Sequence, residues 1–503
     1  MMWTDRPMQE GQSEAAEQEK INKPEKIGKQ KKEKEEKLEK EGAVKGKEKL
    51  KKRWDEWDMC LLVAALAFYL FFPLYDGPVW CKDSPSYATM NITREPLYPT
   101  FLLIFRKIFG EEGYLMPVVV AQSILAAYAT WKLAVTVKEY KNGSNLLALL
   151  SAGFQFGVTF LCRFVAIRGS SYTDSIMTEG LGLSLYVLFI VQLYKYVAEE
   201  KAGNLVGTVF YAFLLVNLRK QMLVSLCLMA AVSLLYYLIK ERRGKKLLLL
   251  LGLTAGIFIA CRFTDKLYNY CVRGAWIEHS GTAMGMLCTL IYTSDGGDAS
   301  LFEDEVLRKL YVDISEGADR QGLKITYAPE GWVDLSSHYA DSYDAIGYGI
   351  INPVVQGYIR DNLDCTEIEA VLKYDEYCSD MTKTLLGQEK GDLIRVYAAN
   401  AWKGFVNSIA RVHRILNIYA VGAYLLYLGL YGYWVWEKKC WAKRDRSVVL
   451  AEIVLGGVII NSLVVGAMIF CQPRYMIYNM GLFYTALSVL IYDRVEAVFA
   501  GRR

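Results

Sequence analysis

Asp83-Ser84-Pro85-Ser86-Tyr87, followed by Arg94-Glu95-Pro96-Leu97-Tyr98-Pro99, puts a carboxylate and a guanidinium just past the first long apolar block, braced by prolines and aromatics. A carboxylate can take a proton from a hydroxyl, and a guanidinium presents a planar fork of donors that matches phosphate oxygens. Asp-Ser-Pro is also an ordinary turn initiator, so a purely local reading competes, in which Asp83 opens a turn. A second acidic stretch, Tyr172-Thr173-Asp174-Ser175-Ile176-Met177-Thr178-Glu179-Gly180, precedes another apolar block. Thr178 or Ser175 as N-cap, with one acid complementing the helix dipole, accounts for part of it. Glu179, followed at once by Gly-Leu-Gly-Leu, is costly at a membrane edge unless it faces a polar cavity. Cations recur at the same level of the chain: Arg219-Lys220, Arg411, His413 and Arg414, Arg474-Tyr475, and Arg163 and Arg262 near helix ends. Singly, each reads as a snorkelling interfacial residue; together they offer what a lipid phosphate requires.

The elements that must position these residues are membrane helices. The chain has 503 residues, 53% hydrophobic, with a net charge of +4. Its apolar residues fall in blocks near the ~20 residues that cross hydrocarbon. About ten spans are expected, at roughly 58–75, 114–135, 145–167, 179–197, 203–217, 221–239, 246–263, 415–436, 448–470 and 476–493. The fifth and sixth meet through Asn217-Leu218-Arg219-Lys220-Gln221, as a tight hairpin or one interrupted helix. Helices satisfy their own backbone polar groups in lipid, so the expected fold is an all-α polytopic membrane protein. The first fifty or so residues are polar and carry no cleavable signal pattern. Residues 1–55 read as a charged cytoplasmic tail, Lys- and Glu-rich from Lys20 to Arg53. With the N-terminus inside, the inner loops contain Lys138 and Lys141, Lys195 and Lys201, Arg242-Arg243 with Lys245-Lys246, and Lys438-Lys439 with Lys443 and Arg444, and the chain closes on Arg502-Arg503. That is the positive-inside pattern, and it implies a multi-pass protein of the plasma (cytoplasmic) membrane with both termini cytoplasmic. The segment 264–405 lies outside, with acids exceeding bases by about two to one, and is long enough for a domain of its own. Within it Phe302–Ile314 and Thr366–Leu372 read as amphipathic helices and Leu323–Ala328 as a short strand, so a mixed α/β or mainly helical extracytoplasmic domain is expected. Tyr98–Ile108 reads as an amphipathic helix on the outer leaflet.

Other chemistries find little support. The eleven cysteines form no CxxC pair, and a zinc or redox site is not indicated. Cys60, Cys162, Cys227 and Cys261 read as packing residues, while Cys365 and Cys378 could pair in an oxidising compartment. There is no HExxH, Walker loop, GxSxG or GxGxxG. Asp295-Gly-Gly-Asp298 through Glu303-Asp304-Glu305 lacks EF-hand spacing and reads as helix N-terminal acids. Asn91-Ile92-Thr93 is a sequon of value only in a glycosylating cell. The Lys/Glu tail reads as a solvated helix or tail, and no nucleic-acid partner is expected.

The order of motifs resembles the GT-C superfamily of integral-membrane glycosyltransferases, in particular the bacterial branch related to protein O-mannosyltransferases and aminoarabinose transferases. An Asp-Ser-x-x-Tyr loop follows span one, Arg-x-Pro-Leu-Tyr-Pro follows it, Thr-Glu-Gly-Leu opens span four, an Arg breaks a later helix pair, and Arg-Tyr opens the last span. The likeness covers 56–263, a GT-C-like transmembrane core with a first outer loop at 76–113, and the C-terminal helices 406–503. The resemblance implies Asp83 as catalytic base, with Glu179 and the nearby alternative Asp174 as further acids. It also implies Arg94, Arg219, Lys220 and Arg474 on the donor phosphate, and Tyr87, Tyr98, Tyr172 and Tyr475 around the substrate. Glu95 departs from the pattern, where the family has proline. The implied reaction is inverting transfer of a sugar from a polyprenyl-phosphate donor to a glycan, lipid or protein acceptor in the cell envelope, with membrane lipid as the surrounding partner. Some relatives use a divalent cation and some do not, so the cofactor and any metal ligand are unknown and none is required by the sequence. The alternatives are a lipid-linked glycan polymerase or ligase, a non-catalytic lipid or glycan transporter, and a degenerate relative serving as a scaffold.

Overall fold

The computed structural model describes residues 55–141, 143–165, 171–410, 414–439 and 444–500. The expectations for the Lys/Glu tail, Arg411, His413, Lys443, Arg502 and Arg503 and the side chain of Arg414 lie outside these residues. The chain divides into two compact units, 1–60 and 61–503. Of the first, the described part opens helix α1, where the Asp58 N–H donates to Asp55 Oδ1 at 2.9 Å and the Asp55 N–H to Asp58 Oδ2 at 3.3 Å, a reciprocal cap.

Helices follow one another through the rest of the chain. They are α1 (Glu56–Asp76), α2 (Ser84–Ala88), α3 (Leu97–Gly113), α4 (Leu115–Tyr140), α5 (Asn145–Val165), α6 (Glu179–Glu199), α7 (Ala202–Leu218), α8 (Leu223–Ser233), α9 (Gly244–Arg273), α10 (Met284–Thr293), α11 (Glu305–Arg320), α12 (Trp332–Ile346), α13 (Asn352–Asn362), α14 (Glu367–Leu385), α15 (Lys390–Asn407), α16 (Arg414–Lys438), α17 (Arg446–Met468), α18 (Pro473–Met476) and α19 (Met480–Ala500). A π-helical stretch, Leu234–Lys240, prolongs α8. Among the described residues nine helical stretches are long and apolar enough to cross a membrane, so the protein is helical and polytopic.

The fifth expected span, 203–217, is α7, a 17-residue apolar helix below the length of the nine long ones. It runs antiparallel to α6: Leu205 lies near Val197 at one end, and Arg219 meets Glu179 at the other. At 1.5 Å per residue it covers about 25 Å, short of the ~30 Å of hydrocarbon. It nonetheless returns the chain to the level of Glu179, where the break at Arg219 ends it.

Charge collects at the end of the bundle where α6 meets α7. Glu200 accepts from Arg243, Lys246 and Arg444, Glu241 accepts from Arg444, and Lys141 bonds to Asp493. Lys240 bonds to Glu452 at 2.6 Å beneath them.

The segment between the two membrane parts is helical, α10–α15, around its own core of Leu287, Ile291, Leu310, Ile314, Tyr339, Ile346, Cys378 and Met381. Phe302–Ile314 and Thr366–Leu372 fall in or beside α11 and α14. These helices start where side chains satisfy free N–H groups: Asp304 accepts from the Leu307 N–H at 2.8 Å, and Thr366 and Glu369 form a capping box. The expected strand Leu323–Ala328 is instead a loop with a 3₁₀ turn, Ile325–Tyr327. No sheet exists among the described residues for it to join; a lone Val79–Ser175 bridge is the sole β pairing there. The expected limits at 264 and 405 fall inside α9 and α15, because apolarity ends before the helix does. α9 has 30 residues and runs on into the segment between the two membrane parts. Cys365 and Cys378 are free thiols, not a disulfide. Neither Thr178 nor Ser175 caps α6; the Ser175 hydroxyl donates to the Tyr172 carbonyl.

Candidate active site

The loop after α1 is pinned to the approach of α6 by backbone. The Val79 N–H donates to the Asp174 carbonyl at 2.8 Å and the Ile176 N–H to the Val79 carbonyl at 3.0 Å. The Ser84 hydroxyl donates to the Ile176 carbonyl and accepts from the Cys81 N–H, both at 2.8 Å. Asp83 and Glu179 are thereby held on neighbouring segments, 96 positions apart in sequence. Close packing fixes the first turn of α6. A Cβ on Gly180 would lie 2.5 Å from the Gln122 side chain, and one on Gly182 would lie 3.0 Å from the Tyr478 hydroxyl. Gln122 in turn donates to the carbonyls of Thr173 and Ser175.

Asp83 precedes α2, yet its side chain makes no cap bond; the turn is closed by its carbonyl, which accepts from the Ser86 N–H and hydroxyl. The carboxylate instead lies between two guanidiniums. Arg94 Nη2 donates to Oδ1 at 3.1 Å, and Arg474 Nη1 to Oδ2 at 3.3 Å. Asp83 keeps 30% of its side chain exposed, so it is reachable from water. Arg94 is aimed by Ser86 Oγ at 2.7 Å, by the Tyr87 hydroxyl at 3.3 Å and by the face of the Tyr87 ring, 4.5 Å away. Burial pushes the Tyr87 hydroxyl up to about 12, against the pull of the Arg94 charge, so it stays protonated. Arg474 comes from α18 after Pro473; its Nη2 donates to the Tyr475 hydroxyl at 3.0 Å, and its buried Nε has no partner among the described residues.

Beside this lies a second, more buried pair. Arg219 Nη1 donates to Glu179 Oε1 at 2.5 Å, and the Thr178 hydroxyl donates to Oε2 at 3.2 Å. The Arg219 guanidinium stacks on the Tyr475 ring at 4.5 Å, with Arg474 on the same ring at 5.0 Å. Tyr475 thus joins the two pairs. Its carbonyl also accepts from Gln221 at 2.7 Å and Asn461 at 3.0 Å, which tie the break after α7 to α18.

Six of the eleven sequence-derived residues converge here: Asp83, Arg94, Glu179, Arg219, Arg474 and Tyr475, with Tyr87 as a seventh behind Arg94. Four stand elsewhere or take part differently. Tyr98 is fully buried and donates to Gln122 at 2.8 Å, packing edge-on against Tyr87. Tyr172 faces Tyr69 in the bundle interior. Asp174 is buried, accepts from the Ser171 N–H at 3.2 Å, and lies in the field of the Asp76–Arg163 pair. Burial and then the Asp76 charge raise it to about 7. Lys220 contributes its backbone: its N–H donates to Glu95 Oε1 at 2.5 Å, and its side chain is exposed. Glu95 therefore has a use at the position where the resembled motif has proline.

Four groups were not singled out in the sequence. Asp344 and Tyr348 come from α12 and the π-helical turn Gly347–Ile351, and Lys82 from the first loop, its ammonium 6.0 Å from the Tyr348 ring centroid. Asp344 interacts electrostatically with Lys82, Arg474 and Asp83; desolvation raises its pKa. The segment 264–405 offered no chemical motif, and only Gly-Tyr-Gly at 347–349 hinted at an irregular helix. His279, bonded through Nδ1 to Asp265 at 2.6 Å, lies near Glu95 and Lys220. Burial pulls its pKa down, but the Asp265 bond and the Glu95 charge outweigh that and leave it raised. Among the described residues no group of three or more His, Cys, Asp or Glu side chains is placed to hold a metal ion. No family model matches the chain, and neither curated proteins nor solved structures contain a significant match to it.

Proposed function

We propose that the chain is a membrane glycosyltransferase with a GT-C-like core, acting on a polyprenyl-phosphate sugar at the outer face of the plasma membrane, with both termini cytoplasmic. The observation that carries this reading is Asp83 held between Arg94 and Arg474, guanidiniums from sequence-distant segments. One carboxylate and two phosphate-complementary forks within bonding distance of each other are the parts an inverting transfer needs. The charged end of the bundle at Glu200, Arg243, Lys246 and Arg444 supports the orientation, since basic segments stay inside.

An incoming donor phosphate competes with Asp83 for Arg94 and Arg474 and draws the forks onto its own oxygens. That frees a carboxylate lone pair for the acceptor hydroxyl. The hydroxyl oxygen attacks C1 as its proton passes to Asp83. The C1–O bond to phosphate breaks, and the electron pair leaves on the phosphate oxygen, where the guanidiniums stabilise it. The Glu179–Arg219 pair, through the Tyr475 ring, holds Arg474 in place. The deciding test is turnover of polyprenyl-phosphate sugars by the purified full chain. Asp83→Asn is expected to lower turnover by ~10²–10⁴, as for loss of a general base; equal turnover by both forms removes Asp83 from the mechanism.

A further inference from the structure

The helical segment between the membrane parts brings Asp344 within the electrostatic field of Asp83 and Arg474, and Tyr348 beside Lys82. Tyr348 follows Asp344 by four positions, so the two share a helix face. Tyr348 is 59% exposed and Asp344 is exposed, as is Lys82. Among the described residues, neither the Tyr348 hydroxyl nor the Asp344 carboxylate has a hydrogen-bond partner or an ion pair in bonding range. Lys82 stands over the Tyr348 ring and immediately precedes Asp83, which places the exposed phenol beside the catalytic loop. The backbone that carries Tyr348 is a π-helical turn, a widening often found at functional sites.

We propose that Tyr348, Asp344 and Lys82 form the acceptor subsite, and that the acceptor is a carbohydrate; the catalytic part rests on the reading of Asp83 given above. An exposed tyrosine ring offers a flat apolar face for the C–H side of a sugar ring. A free carboxylate accepts from sugar hydroxyls, and an ammonium donates to them. A peptide would call for an exposed strand edge or side-chain pockets, and a lipid acceptor for an apolar groove; the three groups here supply neither. Seated on Tyr348, a sugar presents a hydroxyl toward Asp83, which takes its proton as the new C–O bond forms.

Binding is measured on the full chain in nanodiscs, without donor, by saturation-transfer NMR against a panel of neutral methyl hexosides and their short oligomers. Wild type is expected to saturate ring protons of at least one saccharide. Tyr348→Ala and Asp344→Asn each weaken that binding about tenfold, the equivalent of one well-made contact. Tyr348→Phe retains it, since the ring remains. Tyr327→Ala, at an exposed tyrosine outside the cluster, leaves it unchanged. In transfer assays Tyr348→Ala raises the acceptor KM more than it lowers kcat. No saccharide bound by wild type, or binding unchanged by Tyr348→Ala, overturns the proposal. Tyr348-dependent binding with no donor turnover by wild type leaves the subsite standing and removes the catalytic reading instead.

Discussion

Asp83 shows how little a residue's type says before its neighbours are known. Its local sequence is that of a turn, and the turn exists, but it is closed by the Asp83 carbonyl. The side chain remains for Arg94 and Arg474. Asp174 is the opposite case: equally acidic in sequence, it is enclosed away from the cluster beside Asp76 and Arg163. Its folded-state pKa, about 7, lies above the ordinary carboxylate value. Between the unfolded and folded values the native state binds more protons, so its contribution to stability falls as pH rises through that window and is flat above it. Asp174→Asn keeps an acceptor for the Ser171 N–H without the charge. It is expected to melt higher than wild type at pH 8, with the gain shrinking toward pH 5 and vanishing near pH 4. Thermal denaturation of both forms across that range checks it, and a gain independent of pH would refute the assignment.

At the scale of elements, the break between α7 and α8 is what brings Arg219 to Glu179. A continuous helix would carry Arg219 along the bundle axis; the extended backbone at Arg219 and the short 3₁₀ turn Lys220–Met222 turn it toward α6. Glu95 caps that turn through the Lys220 N–H, so the departure from the resembled motif has a structural reason. Glu95→Ala is expected to cost about 1 kcal/mol, the worth of a lost cap, while Glu95→Gln keeps an acceptor and most of the stability. Equal melting of Glu95→Ala and wild type in the same detergent would show that the cap contributes nothing. The amphipathic patterns of α3, α11 and α14 were legible because one face repeats at helical spacing. Leu323–Ala328 misled because a short apolar run has the same pattern as a strand, and only the absence of a pairing partner decides it.

At the scale of the whole molecule, acids and guanidiniums gather at one end of the bundle and the basic loops at the other. Orientation is tested with introduced cysteines in a background where the exposed thiols Cys60, Cys227 and Cys271, together with Cys365 and Cys440, are replaced by serine. Tyr327→Cys is expected to react with a membrane-impermeant maleimide in intact cells, and Lys245→Cys only after permeabilisation. The reverse labelling inverts the protein and places the proposed site in the cytoplasm.

The amino-acid order by itself pointed to a helical, membrane-embedded chain, because repeated apolar runs near ~20 residues match the hydrocarbon thickness and a helix satisfies the backbone within each run. It also marked Asp83, Arg94, Glu179, Arg219 and Arg474, since charges beside apolar runs are costly enough to be conspicuous. Which of these meet was decided only by the fold. The Val79–Ser175 bridge, the close approach of Gly180 to Gln122 and the break that brings Arg219 to Glu179 join segments 40 to 96 positions apart, and no local pattern encodes such pairings. The same holds for Asp344 and Tyr348: in a polar outer segment a charge is unremarkable, and its meaning comes from the neighbour that packing supplies.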